Sequence, residues 1–231
     1  MIVSLYYHMK SLSSTYAILL KDAQSELRTR YAVNALLMFV VTAAVIVQLA
    51  IRSEQPSSSV LSGLFWVVVF FAAMSGLSRT FVSEEERGTS MTLQLVATSS
   101  SVYFGKLLFN IVLTLLLNLA ITLLFTVVFP GFVVQTFETF LLTVVLSSIG
   151  LASASTILAA IIAKANTKGT LYPVLAFPIL LPLLMTAMKA TTRALEGDPF
   201  GSGIEEYQIL ISYIMVITAG SYLLFDYVWK D

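Results

Sequence analysis

The stretch TFLLTVVLSSIGLASASTILAAIIA runs from Thr139 to Ala163 without a charged residue, bounded by Glu138 and Lys164. A helix crossing the hydrocarbon core of a bilayer takes about 20 predominantly apolar residues, so this stretch is long enough to span one. Small residues crowd it: Gly150 and Ala154 stand four apart, with Ser147, Ser148, Ala152, Ser153, Ser155, Ala159 and Ala160 around them. That spacing lets helix backbones approach closely in lipid, and the small-residue surface is read as packing rather than pore lining.

Outward from this stretch the same signal recurs over 32–51, 60–77, 106–129, 170–188 and 207–225. The stretch beginning at Lys106 is cut at Phe129 because Pro130-Gly131 marks a turn. Composition agrees, with 58% hydrophobic and 11% charged residues against about 25% charged in an average globular chain. So few charges cannot cover a surface that faces water. The expected fold is an all-α integral membrane protein, one transmembrane domain over 1–231 with six transmembrane helices after an amphipathic segment, 1–31. Thirteen basic and thirteen acidic residues cancel, which gives no bulk charge for nucleic-acid binding. The absence of cysteine excludes disulfides, thiolate metal sites and thiol nucleophiles.

Lys and Arg in short loops orient a membrane chain. With a cytoplasmic N-terminus, Lys10, Lys21, Arg28, Arg30, Arg79, Arg87, Lys106, Lys164, Lys168 and Lys230 fall inside, and only Arg52, Lys189 and Arg193 outside. Both termini are therefore expected in the cytoplasm. The first thirty residues show no cleavable signal peptide: they lack a compact apolar core followed by small cleavage-site residues. Within them Leu12, Tyr16, Leu19, Leu20, Ala23, Leu27 and Tyr31 recur at helical spacing, with Lys21, Asp22, Gln24, Ser25, Glu26 and Arg28 between. Such a stripe suits a helix lying in the membrane interface; packing of the same helix on the cytoplasmic ends of the spans is the other reading.

Chemistry is sparse. His8 is the only histidine, which argues against a multi-histidine metal site or a His-dependent triad within one subunit. Gly105-Lys106 is followed by Leu107, and no phosphate-cradling G-x-x-x-x-G-K-[ST] loop exists. Glu138, Lys189 and Asp226 fall near span ends, which disfavours a proton-coupled carrier. Asn34, Gln48, Asn110 and Asn118 are expected to bond between helices. Trp66 and Trp229 are isolated, with interface or packing roles.

Two stretches suggest a task. In Phe81-Val82-Ser83-Glu84-Glu85-Glu86-Arg87-Gly88-Thr89, Ser83 and Glu86 have capping-box spacing, and the three glutamates suit a helix N-terminus. Thr92, Leu93, Leu95 and Val96 continue as a short apolar helix, Ser99-Ser100-Ser101 reads as a break, and Gly105-Lys106 opens the third span. A charged turn joined to a short helix suits docking of a cytosolic partner; a solvated acidic loop is the equal alternative. The second stretch, 168–184, carries Pro173, Pro178 and Pro182. Prolines withhold backbone donors and disturb a helix, so a kinked or broken span is expected, as a hinge or a static bend.

At these stretches the chain resembles the type-2 ABC exporter permeases, and among them the CcmB family of cytochrome c maturation. Phe81, Glu84, Glu85, Glu86, Gly88 and Leu93, then Gly105-Lys106, are similar to the family's cytoplasmic coupling region. The run from Lys168-Gly169 to Pro178-x-x-x-Pro182 is the sharper likeness, and the resemblance covers essentially the whole chain. It implies a non-catalytic half-transporter in the bacterial inner membrane, two copies working with two copies of a separate ATPase, CcmA. CcmC, the small protein CcmD and the haem chaperone CcmE are the further partners implied. ATP would bind in the ATPase, and haem would be cargo of the complex, exported or released with its chaperone from CcmC. The residues expected to contact the ATPase are Glu84, Glu85, Glu86, Arg87, Gly88, Gly105 and Lys106. No tryptophan-rich haem-handling motif is present. A type-2 exporter of a lipid or other amphipathic molecule, and a membrane scaffold without an ATPase, are the alternatives.

Overall fold

The computed structural model describes residues 2–29, 31–51, 56–164 and 168–230; within these, side chains are described except at 2–11, 29, 31–33, 35, 36, 168–171 and 173. The described chain is helical throughout, without strands. In order the helices are α1 (Ile2–Thr29), α2 (Tyr31–Ile51), α3 (Ser58–Leu77), α4 (Arg79–Glu86), α5 (Ser90–Val96), α6 (Ser99–Val128), α7 (Phe137–Ala163), α8 (Lys168–Glu196) and α9 (Ile204–Lys230), with a 3-10 turn at Phe200–Gly203. Among the described residues five segments are long and apolar enough to cross a membrane: Ser58–Glu86, Ser99–Val128, Phe137–Ala163, Val174–Glu196 and Phe200–Lys230. Leu37–Ile51 of α2 is a shorter apolar stretch.

α7 sits at the centre, packed by α8, α9, α6, α4 and α3. The small residues explain its position. A Cβ added at Gly150 would stand 2.7 Å from Leu183 Cδ1, and Ala152, Ala154, Ala159 and Ala160 are all buried. The expected interhelical amide bonds are present at both buried asparagines: Asn118 Nδ2 donates to Ser148 Oγ at 2.7 Å and Asn110 Nδ2 to Thr156 Oγ1 at 2.8 Å.

The two ends of the bundle differ. At one, Phe65, Phe125, Phe132 and Phe140 cluster, Phe65 stacking on Phe132 at 5.4 Å, and the Gln135 and Thr136 amides both donate to the Ala194 carbonyl at 3.1 Å. At the other lie α4, α5, the start of α6 and the end of α9. There Phe225 stacks on Trp229 at 5.7 Å, Gln94 Nε2 donates to the Trp229 carbonyl, and Lys164 pairs with Glu85 at 3.6 Å. Both tryptophans are packing residues: Trp66 is buried and donates to Thr191 Oγ1 at 2.9 Å, and Trp229 is buried beside Phe81.

Two expectations are corrected. The Ser99–Ser101 run is not a break, because Thr98 Oγ1 accepts from the Ser101 amide and caps the helix there; α6 therefore starts well before Lys106. The glutamates do not open a helix. Ser78 between α3 and α4 is itself helical (φ −58°, ψ −26°), so Glu84, Glu85 and Glu86 end α4, where the helix dipole disfavours them and nearby cations become necessary. Of the kinked or broken span expected at Pro173, Pro178 and Pro182, the break is absent: α8 runs as one α-helix from Lys168 to Glu196. Tyr213 of α9 donates to the Ile179 carbonyl at 3.0 Å, which ties α9 to this stretch of α8.

Candidate coupling site

The site begins with a lysine that is wholly buried. Lys106 lies eight residues past the α6 cap, about 12 Å along the axis, and its side chain is 0% exposed. A buried ammonium needs its three protons accepted. Its Nζ donates to the Thr80 carbonyl at 2.7 Å, to Asp22 Oδ2 at 3.1 Å and to Glu84 Oε1 at 3.5 Å, and it lies 4.9 Å from the centre of the Phe81 ring.

Gly105 makes this possible. A Cβ there would meet Ile18 Cβ and Cγ2 at 2.9 Å and the Thr15 carbonyl at 3.0 Å, so only glycine lets α1 cross α6 this closely. The crossing delivers Asp22 and Lys21. Lys21 pairs with Asp22 Oδ1 at 3.3 Å and hydrogen-bonds Glu84 Oε1. Glu84 receives a further bond from Thr89 Oγ1 to Oε2 at 2.6 Å. Two cations and two carboxylates thus close a neutral cluster joining α1, α4 and α6. Burial acts to lower the Lys21 pKa, but the bond to Glu84 and the attraction of Asp22 and Glu84 outweigh it and hold the pKa above the ordinary lysine value.

A polar chain leads inward from the cluster. Thr80 Oγ1 donates to Asn110 Oδ1 at 2.9 Å, Asn110 passes to Thr156, and Thr156 Oγ1 donates to the Ala152 carbonyl at 2.6 Å. The turn is therefore tied by hydrogen bonds to the central helix.

Outward, α4 ends in a tight turn. Gly88 adopts φ +65°, its amide bonding the Glu85 carbonyl at 3.1 Å while the Thr89 amide bonds the Glu84 carbonyl at 3.0 Å; a positive φ of this kind favours glycine. α5 follows with two faces. Leu93 is partly buried against the core and Gln94 is tied to α9, whereas Met91, Leu95 and Val96 are 71%, 84% and 77% exposed. Large apolar side chains bared at the polar end of a bundle mark an interaction surface.

The sequence-predicted residues thus separate by depth. Glu84, Gly105 and Lys106 are internal and hold the turn to the bundle; Glu86, Arg87 and Gly88 are exposed; Glu85 is half-buried on Lys164. The prolines belong to α8 and not to this site. Asp22 and Lys21 were missed, because in the periodicity of α1 they read as water-facing positions. Their signal lay elsewhere: a lysine in α6 beside an obligatory glycine requires a carboxylate from a neighbouring helix. α1 packs on α6, with Ile18 buried there; of its apolar stripe Leu19 and Ala23 are partly buried, whereas Leu12, Tyr16, Leu20 and Leu27 are exposed.

The fold is that of a helical membrane protein whose exposed turn is anchored by buried ion pairs. The chain belongs to the CcmB family of haem-exporter permeases, whose family model, described as CcmB protein, matches residues 13–224. Membership places it among membrane proteins of cytochrome c biogenesis and implies a place in a Ccm ABC complex with partners such as CcmA. No curated protein matches the chain.

Proposed function

We propose that this chain is the non-catalytic permease half of an ABC complex for cytochrome c maturation, with α5 as the surface that a separate CcmA-like ATPase grips. The bare apolar row of Met91, Leu95 and Val96 is the observation that carries this reading. It sits on a turn tied through Glu84, Lys106, Thr80 and Asn110 to α1, α6 and α7, so displacement of α5 reaches the spans with little slack. Glu86 and Arg87 flank the row as polar rim, and Glu84 acts as its internal anchor.

In the full reading α2 crosses as the first of six spans. α1 lies as an elbow in the interface with its exposed stripe in lipid, and the α4–α5 end and both termini face the cytoplasm of a bacterial inner membrane. A single permease domain pairs with a second copy and two ATPases, together with CcmC, CcmD and the haem chaperone CcmE. ATP stays in the ATPase and haem is cargo of the complex. Closure of the ATPases favours one of two permease arrangements, and the difference in contact energy between them drives haem export or release of the loaded chaperone from CcmC.

The test is retention of the ATPase by tagged permease carrying Leu95→Ser and Val96→Ser. Burying one such side chain stabilises a contact by about 1.5–3 kcal/mol, so retention affinity is expected to fall more than about tenfold with membrane insertion unchanged. Equal retention would overturn the assignment of α5.

A further inference from the structure

A cavity of about 530 Å³ opens between α1, the α3–α4 junction, α5 and α6, within the size of ordinary ligand pockets, about 300–1,000 Å³. Its wall changes character with depth. Toward the end of the bundle it is lined by Arg79, Arg87 and Lys21; deeper, by Gly76 of α3 and by Phe109 and Leu113 of α6. Leu113 lies seven residues beyond Lys106, about 10 Å further along the helix.

The charges do not cancel locally in the way their number suggests. Asp22 and Glu84 also line the cavity, but both are committed to Lys21 and Lys106. Glu26, the remaining carboxylate of the wall, makes further contacts of its own. Among the described residues Arg79 has no ion-pair partner, and Arg87 reaches only the Ser25 hydroxyl at 3.5 Å. Two guanidinium groups therefore look onto one cavity without a carboxylate assigned to them. Guanidinium forks match phosphate oxygens, and a basic rim over an apolar slot at a membrane surface attracts anionic lipid.

From this we infer that the cavity is a binding site for a phosphate-bearing amphiphile, an anionic phospholipid whose headgroup phosphate lies between Arg79 and Arg87 and whose acyl chain runs along Gly76, Phe109 and Leu113. The lipid would wedge α1 against α5 and fill a slot that neither helix closes. The inference rests on the cavity, whose wall shares Arg87 and Val96 with the proposed α5 docking surface.

Full-length protein in mild detergent, stripped of lipid, is titrated with phosphatidylglycerol, with phosphatidylcholine and with inorganic phosphate, and bound lipid is counted by native mass spectrometry. Phosphatidylglycerol is expected to bind one to one and more tightly than phosphatidylcholine. Loss of the charge-assisted contacts in Arg79→Gln with Arg87→Gln is expected to weaken it at least about tenfold. Inorganic phosphate displacing the lipid at equal concentration would show that free phosphate is the ligand and overturn the lipid assignment; identical binding by wild type and double variant would overturn the site. A photoactivatable phosphatidylglycerol on the wild-type protein gives a readout independent of variant folding. Crosslinks are expected at 76–80 and 109–113, and crosslinks confined to other segments would overturn the placement.

Discussion

Lys106→Met removes one ammonium and keeps the apolar stem. Asp22 and Glu84, with side chains only 11% and 10% exposed, are then left with Lys21 as their sole cation. Breaking a fully buried ion pair costs about 3–5 kcal/mol. Here Lys21, with a side chain 45% exposed, still screens both carboxylates, which brings the expected loss to about 2–3 kcal/mol. The loss should appear where the cluster holds helices together, in the docking of α1 on α6, rather than as general unfolding. Hydrogen exchange read by mass spectrometry over 12–28 should therefore accelerate about 30- to 150-fold, the equivalent of that free energy, while α7 stays protected. Adding Glu84→Gln to Lys106→Met relieves one unpaired charge and should restore part of the protection, a coupling of about 0.5–3 kcal/mol. Unchanged exchange in α1, or loosening confined to α7, would refute the reading of the cluster as the clasp of α1.

Gly105→Ala should loosen the same helix by about 1–3 kcal/mol, because the new Cβ meets Ile18 and the Thr15 backbone; normal α1 exchange in this variant would contradict the close crossing. Gly88→Ala meets no neighbour within 4 Å, so its cost is the positive φ alone, about 1 kcal/mol, and thermal stability should drop only slightly. Trp66→Phe removes the donor to Thr191 and should destabilise by about 1 kcal/mol, measured by thermal unfolding in detergent. The raised pKa of Lys21 fixes a sign for pH: its contribution is complete below the ordinary value of 10.5 and is lost as pH rises through the higher folded value. A spin label at position 12 should report docked α1 at neutral pH and release only in strong alkali; release near neutrality would place the control on another group.

Much of the fold was legible because apolar length is a property of contiguous sequence. The stretch 139–163 reads as a span, and its small residues do bring α8 against α7 at Gly150. Junctions were less legible. The Ser99–Ser101 run carries the composition of a loop, yet one hydroxyl on Thr98 turns it into a helix start. The glutamates have capping-box spacing, but local spacing cannot register that α3 continues almost unbroken into α4 and carries them to the far end. Three prolines in α8 leave a kink and a break equally open in the sequence, and the helix is continuous through them. At the site, Glu84 was legible as part of a charged turn and Lys106 as the opening of a span, while their pairing with Asp22 and Lys21 depends on the crossing at Gly105, a contact between residues more than eighty positions apart.

The chain has no cysteine, so a single cysteine at Leu95 can carry a crosslinker in native membranes. A crosslink from that position to the CcmA-like ATPase, absent from a control cysteine at Val216 on α9, is the predicted result. A chain that crosslinks to no ATPase from position 95 while the complex remains intact would contradict it.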